Sequence, residues 1–153
     1  MTSMMSRLGD ERAFKLLREH NTVVRDALTR FGVREVKHTC DGVMASFDVA
    51  DQAVRATIQI RYGIPAIAVD ETDERLSIRI GMTSGEPFEE HGDLFGSVVN
   101  LGSRLCDLTE SGEILMSEDC RNELENESLQ TKSIGDVSIR GFSSAVTVSR
   151  VAD

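Results

Sequence analysis

The stretch Val33-Arg-Glu-Val-Lys-His-Thr-Cys-Asp-Gly-Val-Met-Ala-Ser-Phe47 decides the architecture. Val33 to Thr39 alternates in the two-residue rhythm of a strand, and Val43 to Phe47 is a second short apolar run. Between them stands Cys40-Asp41-Gly42. Asp-Gly between two strands is a strong short-range hairpin signal, because both residues tolerate the positive φ of a tight turn. This reading displays Asp41 at the hairpin tip and places Lys37 on the strand leading to it.

Before the hairpin, Asp10 to Phe31 reads as a helix. Phe14, Leu17, Val24 and Leu28 recur at helical intervals, and Gly32 supplies a stop. After it, Asp48 to Tyr62 reads as a second helix, with Asp48 or Asp51 as cap and Ala53, Val54, Ala56, Ile58 and Ile60 as apolar positions. Asp70-Glu-Thr-Asp-Glu74 is a charged loop, and Leu76, Ile78 and Ile80 alternate as in a half-buried strand. Thr83 to Asp93 has no clear period. Ser97 to Leu108 reads as a third helix with Val98, Leu101 and Leu105 inward. A strand over Glu113 to Met116 follows, then a short helix over Glu118 to Leu124 capped by Ser117. Ile134 to Val151 holds two strand-like stretches separated by Gly141. The order predicts an α+β fold with helices packed on one sheet, as a single domain over residues 1–153. A sheet built around the hairpin wants another central strand, yet a long helix begins almost at the first residue.

Composition narrows the function classes. A formal net charge of -9 argues against non-specific nucleic-acid binding, which needs Lys and Arg to displace phosphate counterions. It leaves room for a nucleotide held by a few local cations. Met1 to Arg7 has no apolar run of signal-peptide length, and Ile64 to Val69 is far too short to span a bilayer. The reading therefore expects no membrane segment in this chain. Cys40, Cys106 and Cys120 are odd in number and widely spaced, without a zinc or disulfide framework, which points to a cytoplasmic setting. His20, His38 and His91 lack clustered metal-ligand spacing.

Taken singly, the polar candidates have ordinary explanations. Lys37 is a strand lysine, Asp41 is turn chemistry, and Asp93 lies in an acidic loop. Asn100 and Arg104 share one helical face four residues apart. Their combination is more specific. Together with Glu35 to Gly42, Ile80 to Glu86 and Val98 to Leu105, the set resembles the class III nucleotidyl cyclase catalytic domain of adenylyl type, over nearly the whole chain. The resemblance implies a ferredoxin-like sheet with helices packed on it. It implies that Asp41 helps hold two divalent cations, magnesium or manganese. Lys37 and Asp93 match the pair that reads the purine, the ammonium donating to adenine N1 and the carboxylate accepting from the N6 amino group. Asn100 matches the residue that orients the ribose, and Arg104 the one that stabilises charge on the transferred phosphate. Arg140 takes the place of a basic residue, more often lysine, that contacts the triphosphate. The implied reaction converts ATP to 3′,5′-cyclic AMP and pyrophosphate by a two-metal mechanism at the interface of a head-to-tail homodimer. No cysteine or serine is assigned as nucleophile. Thr83 to Asp93 matches an arm that packs against the partner.

The chain departs from the family's pattern in two places. The family's first strand carries a second metal aspartate, and alignment on Arg7 to Asp10 places that strand upstream of Met1. A start site internal to a longer protein is favoured over a degenerate relative, because the other positions match. The chain as given is then expected to have weak or absent turnover and reduced stability. Cys40 also stands where the family has glycine, which strains the turn if positive φ is required there. Two other readings stand beside the cyclase: a catalytically silent nucleotide-binding or dimerisation module that regulates a partner, and a bare ferredoxin-like domain without a ligand.

Overall fold

The protein is described from a computed structural model, in which residues 9–38, 42–67, 76–90 and 93–152 are described. It divides into two compact units, Met1–Ile78 and Arg79–Asp153.

In the first unit, helix α1 (Asp10–Arg30) packs along helix α2 (Ala50–Gly63). Leu16, Val24, Ala27 and Leu28 of α1 are buried, as are Val54, Ala56, Thr57 and Ile60 of α2. The helices run antiparallel. Arg30 donates to Gln59 at 2.8 Å, and a Cβ added at Gly63 would come within 2.7 Å of Val23 Cγ1. That pairing corrects one expectation. Phe14 and Leu17 are 62% and 40% exposed, although they share the apolar stripe. Because α2 ends at Gly63, opposite Val23, the first turns of α1 run on without α2 beside them. The predicted glycine stop holds in detail. Gly32 has φ +80°, Val33 N–H donates to Leu28 C=O at 3.0 Å, and Gly32 N–H donates to Thr29 C=O at 3.3 Å. These two bonds satisfy carbonyls that the helix end leaves open.

Strands β1 (Glu35–His38) and β2 (Val43–Ser46) pair antiparallel between those helices in sequence, with Glu35 opposite Ser46 and His38 opposite Val43. The hairpin is thus as expected from the alternation. Its tip, with Thr39, Cys40 and Asp41, lies outside the described residues. The strand expected from Leu76 is displaced: Leu76 to Arg79 is not paired, and the strand that forms is β3 (Ile80–Met82). Leu76 is buried to 1% exposure, so its apolar character reflects burial rather than sheet pairing.

In the second unit the sheet order is β3, β6 (Ile114–Ser117), β8 (Val146–Val151), β7 (Thr131–Val137). β3 and β6 are parallel, which requires a crossover, and helix α3 (Ser97–Leu108) lies in it. The other pairs are antiparallel, with an irregularity at Ser133/Gly135, where Gly135 takes φ +93°. All four residues of β6 are buried. A central strand covered on both faces reads as a continuous apolar run, as Ile-Leu-Met does here. Ser117 then turns the chain into the short helix α4 (Glu118–Asn122), its hydroxyl accepting from Cys120 N–H at 3.4 Å. The stretch from Thr83 to Asp93, read as aperiodic, contributes β4 (Phe88–Glu90), which pairs antiparallel with β5 (Asp93–Phe95). Each of these strands has only three residues, too few to establish a period.

Candidate active site

Helix α3 presents one polar face. Ser97, Asn100, Ser103 and Arg104 line a cleft of about 530 Å³, and the opposite wall is the turn Arg140-Gly141-Phe142-Ser143. Asn100 and Arg104 fall on that face because a helix brings residues four apart to one side. Arg140 arrives from far along the chain, and the packing explains how. Leu105, Leu115, Ile139 and Val148 form one buried cluster, with Leu101 and Phe142 packed against it. Arg104 directly precedes Leu105, and Arg140 directly follows Ile139. Each arginine is therefore anchored by a neighbour in the same core, while both remain exposed on the cleft side. The turn itself closes with Phe142 N–H donating to Ile139 C=O at 3.0 Å and with Gly141 at φ +91°.

The chemistry of the lining is plain. Two guanidinium groups, an amide and three hydroxyls face one space, and among the described residues no carboxylate lines it. Arginine offers a fork of donors that matches phosphate oxygens, and asparagine offers both a donor and an acceptor. The cleft is thus suited to an anion bearing hydroxyl or phosphate oxygens. Among the described residues no group of three or more His, Cys, Asp or Glu could hold a metal ion. The described donor set does not fit a divalent cation, and Asp41 lies outside it.

The remaining candidates stand as follows. Lys37 lies on β1, opposite Met44, in the first unit. Asp93 opens β5, opposite Glu90, and the chain runs from there through Gly96 (φ +122°) into α3, with Asn100 N–H donating to Gly96 C=O at 3.1 Å. The structure therefore brings together Asn100, Arg104 and Arg140. Ser97, Ser103, Phe142 and Ser143 were not singled out from sequence. Ser97 had a legible signal, three residues before Asn100 on a helix; Phe142 and Ser143 had none beyond adjacency to Arg140.

The two described cysteines, Cys106 and Cys120, are chemically quiet. Burial holds the Cys120 thiol up at about 12, with Glu123 adding to the effect. Cys106 is raised by burial and by Asp107, and its sulfur lies 3.5 Å from the Arg79 carbonyl oxygen. Neither is a thiolate nucleophile at neutral pH.

The chain matches the family described as the adenylate and guanylate cyclase catalytic domain over residues 1–149. It belongs to that family. An adenylate cyclase of Streptomyces coelicolor is 29% identical over 123 residues, which cover 80% of this chain and 31% of that protein. An uncharacterised protein of Mycobacterium tuberculosis is 28% identical over 152 residues, 99% of this chain and 38% of the relative. The chain thus spans less than two fifths of the length of these curated relatives. Among solved structures, the adenylate/guanylate cyclase/hydrolase of Silicibacter pomeroyi superposes with a TM-score of 0.82 at 26% identity, covering 97% of this chain and 89% of that one. A Trypanosoma brucei adenylate cyclase reaches 0.86 at 18% identity, covering 98% and 82%. The fold is α+β, that of cyclase catalytic domains.

Proposed function

We propose that the chain is the catalytic domain of an adenylyl cyclase, acting on ATP. The ribose 3′ oxygen attacks the α-phosphate, the new O–P bond closes the 3′,5′ ring, and pyrophosphate leaves. The observation that carries this reading is that Asn100, Arg104 and Arg140 line one cleft, in a lining suited to a nucleotide polyphosphate. Asn100 orients the ribose by donating and accepting with its amide. Arg104 neutralises charge that develops on the transferred phosphate. Arg140 binds the triphosphate from the opposite wall.

Adenine is preferred over guanine because of Lys37 and Asp93. Adenine N1 accepts and its N6 amino group donates, which suits an ammonium and a carboxylate respectively; guanine reverses both. Asp41 is retained as a carboxylate for the two divalent cations, magnesium or manganese, that accompany the nucleotide. The working unit is a head-to-tail homodimer, in which Lys37 and Asp41 serve opposite sites, and the setting is cytoplasmic. No helix among the described residues is long and apolar enough to cross a membrane.

The test is an assay of cyclic nucleotide formation from manganese-ATP and manganese-GTP. It is run on this chain, on a form extended upstream of Met1, and on the double variant Lys37→Glu/Asp93→Ala. Cyclic AMP from ATP with a shift toward GTP in the double variant supports the reading. ATP binding without cyclic product in either length would replace it with the silent regulatory module. Absence of both binding and turnover would leave the bare fold.

A further inference from the structure

We propose that the segment Gly81 to Gly85 is a seat that sets the position of Asn100 and Arg104, with Thr83 as a positioning residue. The inference rests on the nucleotide reading of the cleft. Three contacts mark the seat. The Thr83 hydroxyl donates to the Val98 carbonyl oxygen at 2.8 Å, joining the end of β3 to the first turn of α3. At Gly81, an added Cβ would meet the Cys106 amide nitrogen and come within 2.5 Å of the Gly102 carbonyl oxygen, so β3 and α3 touch backbone to backbone. At Gly85, with φ +156°, an added Cβ would lie 3.1 Å from Val98 Cγ2.

The three contact points on α3 are Val98, Gly102 and Cys106, spaced four residues apart. At about 100° per residue they form one face of the helix. Asn100 and Arg104 each stand two residues on, about 200° around, on the opposite side. The seat therefore grips the back of the helix whose front forms the cleft. Backbone-to-backbone contact leaves no side chain to deform, so any shift at the seat moves the helix as a body. The other wall, Arg140 to Ser143, is anchored through Ile139 and Phe142 in a core that includes Leu101 and Leu105 of α3 and none of the seat residues Gly81 to Gly85. A displacement at the seat would change the separation of Arg104 from Arg140 without touching either. Thr83 also fills the space over Gly102, where a Cβ would lie 3.3 Å from its hydroxyl. The hydroxyl thus fixes the position of the helix along the strand as well as its height.

Thr83→Val keeps the shape and removes the donor; Thr83→Ser keeps the donor. Affinity for manganese-ATP, the thermal midpoint, and the side-chain Nε–H resonances of Arg104 and Arg140 without nucleotide are compared. We expect Thr83→Val to weaken manganese-ATP binding by about three- to tenfold, the loss of one neutral hydrogen bond carried into the site. Thr83→Ser should recover to within about twofold of the parent. The Arg104 resonance should move in Thr83→Val while that of Arg140 stays. Gly102→Ala should move the same resonance, since its Cβ presses on Thr83. Unchanged affinity with an unmoved Arg104 resonance would overturn the seat. So would equal losses in the valine and serine variants, because the hydroxyl would then play no part. If the parent chain binds no manganese-ATP, the nucleotide reading fails by itself, and the Arg104 resonance still decides whether the seat positions the helix.

Discussion

The hairpin that carries Lys37 and the sheet that backs α3 solve the same problem under different constraints. Three of the four residues of β1 are exposed, whereas all four of β6 are buried. Val36 and Val43 of the hairpin remain 43% and 37% exposed, while Ile114 and Met116 of β6 are at 0%. A two-stranded hairpin has little stability of its own and is held in register mainly by its ladder. A central strand is held by side chains on both faces. The lesson is that Arg104 and Arg140 stand on rigid support inside one unit, and Lys37 stands on an element whose own packing contributes much less.

That contrast can be broken in several ways. The largest expected effect is at the buried strand: Ile114→Ala should lower the unfolding free energy by about 2–5 kcal/mol, read from urea denaturation, because truncating this fully buried side chain leaves a cavity. Arg104→Ala and Arg140→Ala come next. Each should weaken manganese-ATP binding by about ten- to a hundredfold, the loss of a charge-assisted contact worth roughly 1.5–3 kcal/mol, with the urea midpoint unchanged. Calorimetric titration checks this, and equal affinity in either variant would remove that arginine from the site.

A smaller, pH-dependent effect belongs to Cys120. In the unfolded chain this thiol ionises near its ordinary value of 9.0, and in the folded protein burial holds it to about 12. Between those values the unfolded state binds fewer protons than the folded one. Stability therefore falls as pH rises above about 9, by at most about 1.4 kcal/mol per pH unit for one proton. The difference in slope between the parent and Cys120→Ala, measured by urea unfolding from pH 8 to 10.5, isolates it. The smallest effect is at the hairpin. Val36→Ala should cost about 0.5–1 kcal/mol, since the side chain is largely exposed and only cross-strand contact is lost. A cost comparable to that of Ile114→Ala would show that the hairpin is clamped as firmly as the central strand.

Much of the architecture was legible from local pattern. The Asp-Gly signal located the β1–β2 hairpin, the Phe31-Gly32 stop ended α1 with the bonds a left-handed glycine permits, and Ser117 announced α4. The site was half legible. Asn100 and Arg104 share a face by helical period alone, and Ser97 could have been added on the same ground. The β4–β5 pair was missed because three-residue strands carry too little period, and the strand expected from Leu76 was misplaced because a buried apolar residue need not be a paired one.

By itself, the sequence determined those features that depend on hydrogen bonds and periodicities a few residues long: the helices, the glycine stop of α1, the Ser117 cap of α4, the presence of the hairpin, and the pairing of Asn100 with Arg104. The cap expected at Asp48 or Asp51 did not form, since α2 starts after Val49 without a side-chain bond. Only the tertiary structure decided that Arg140 faces Arg104 across one cleft, that β3 lies parallel to β6, and that Phe14 and Leu17 stay exposed beyond the end of α2. The reason is that these depend on which apolar residues share a core. Leu105 and Ile139 are joined by packing between segments distant in the chain, and no local rhythm encodes that meeting.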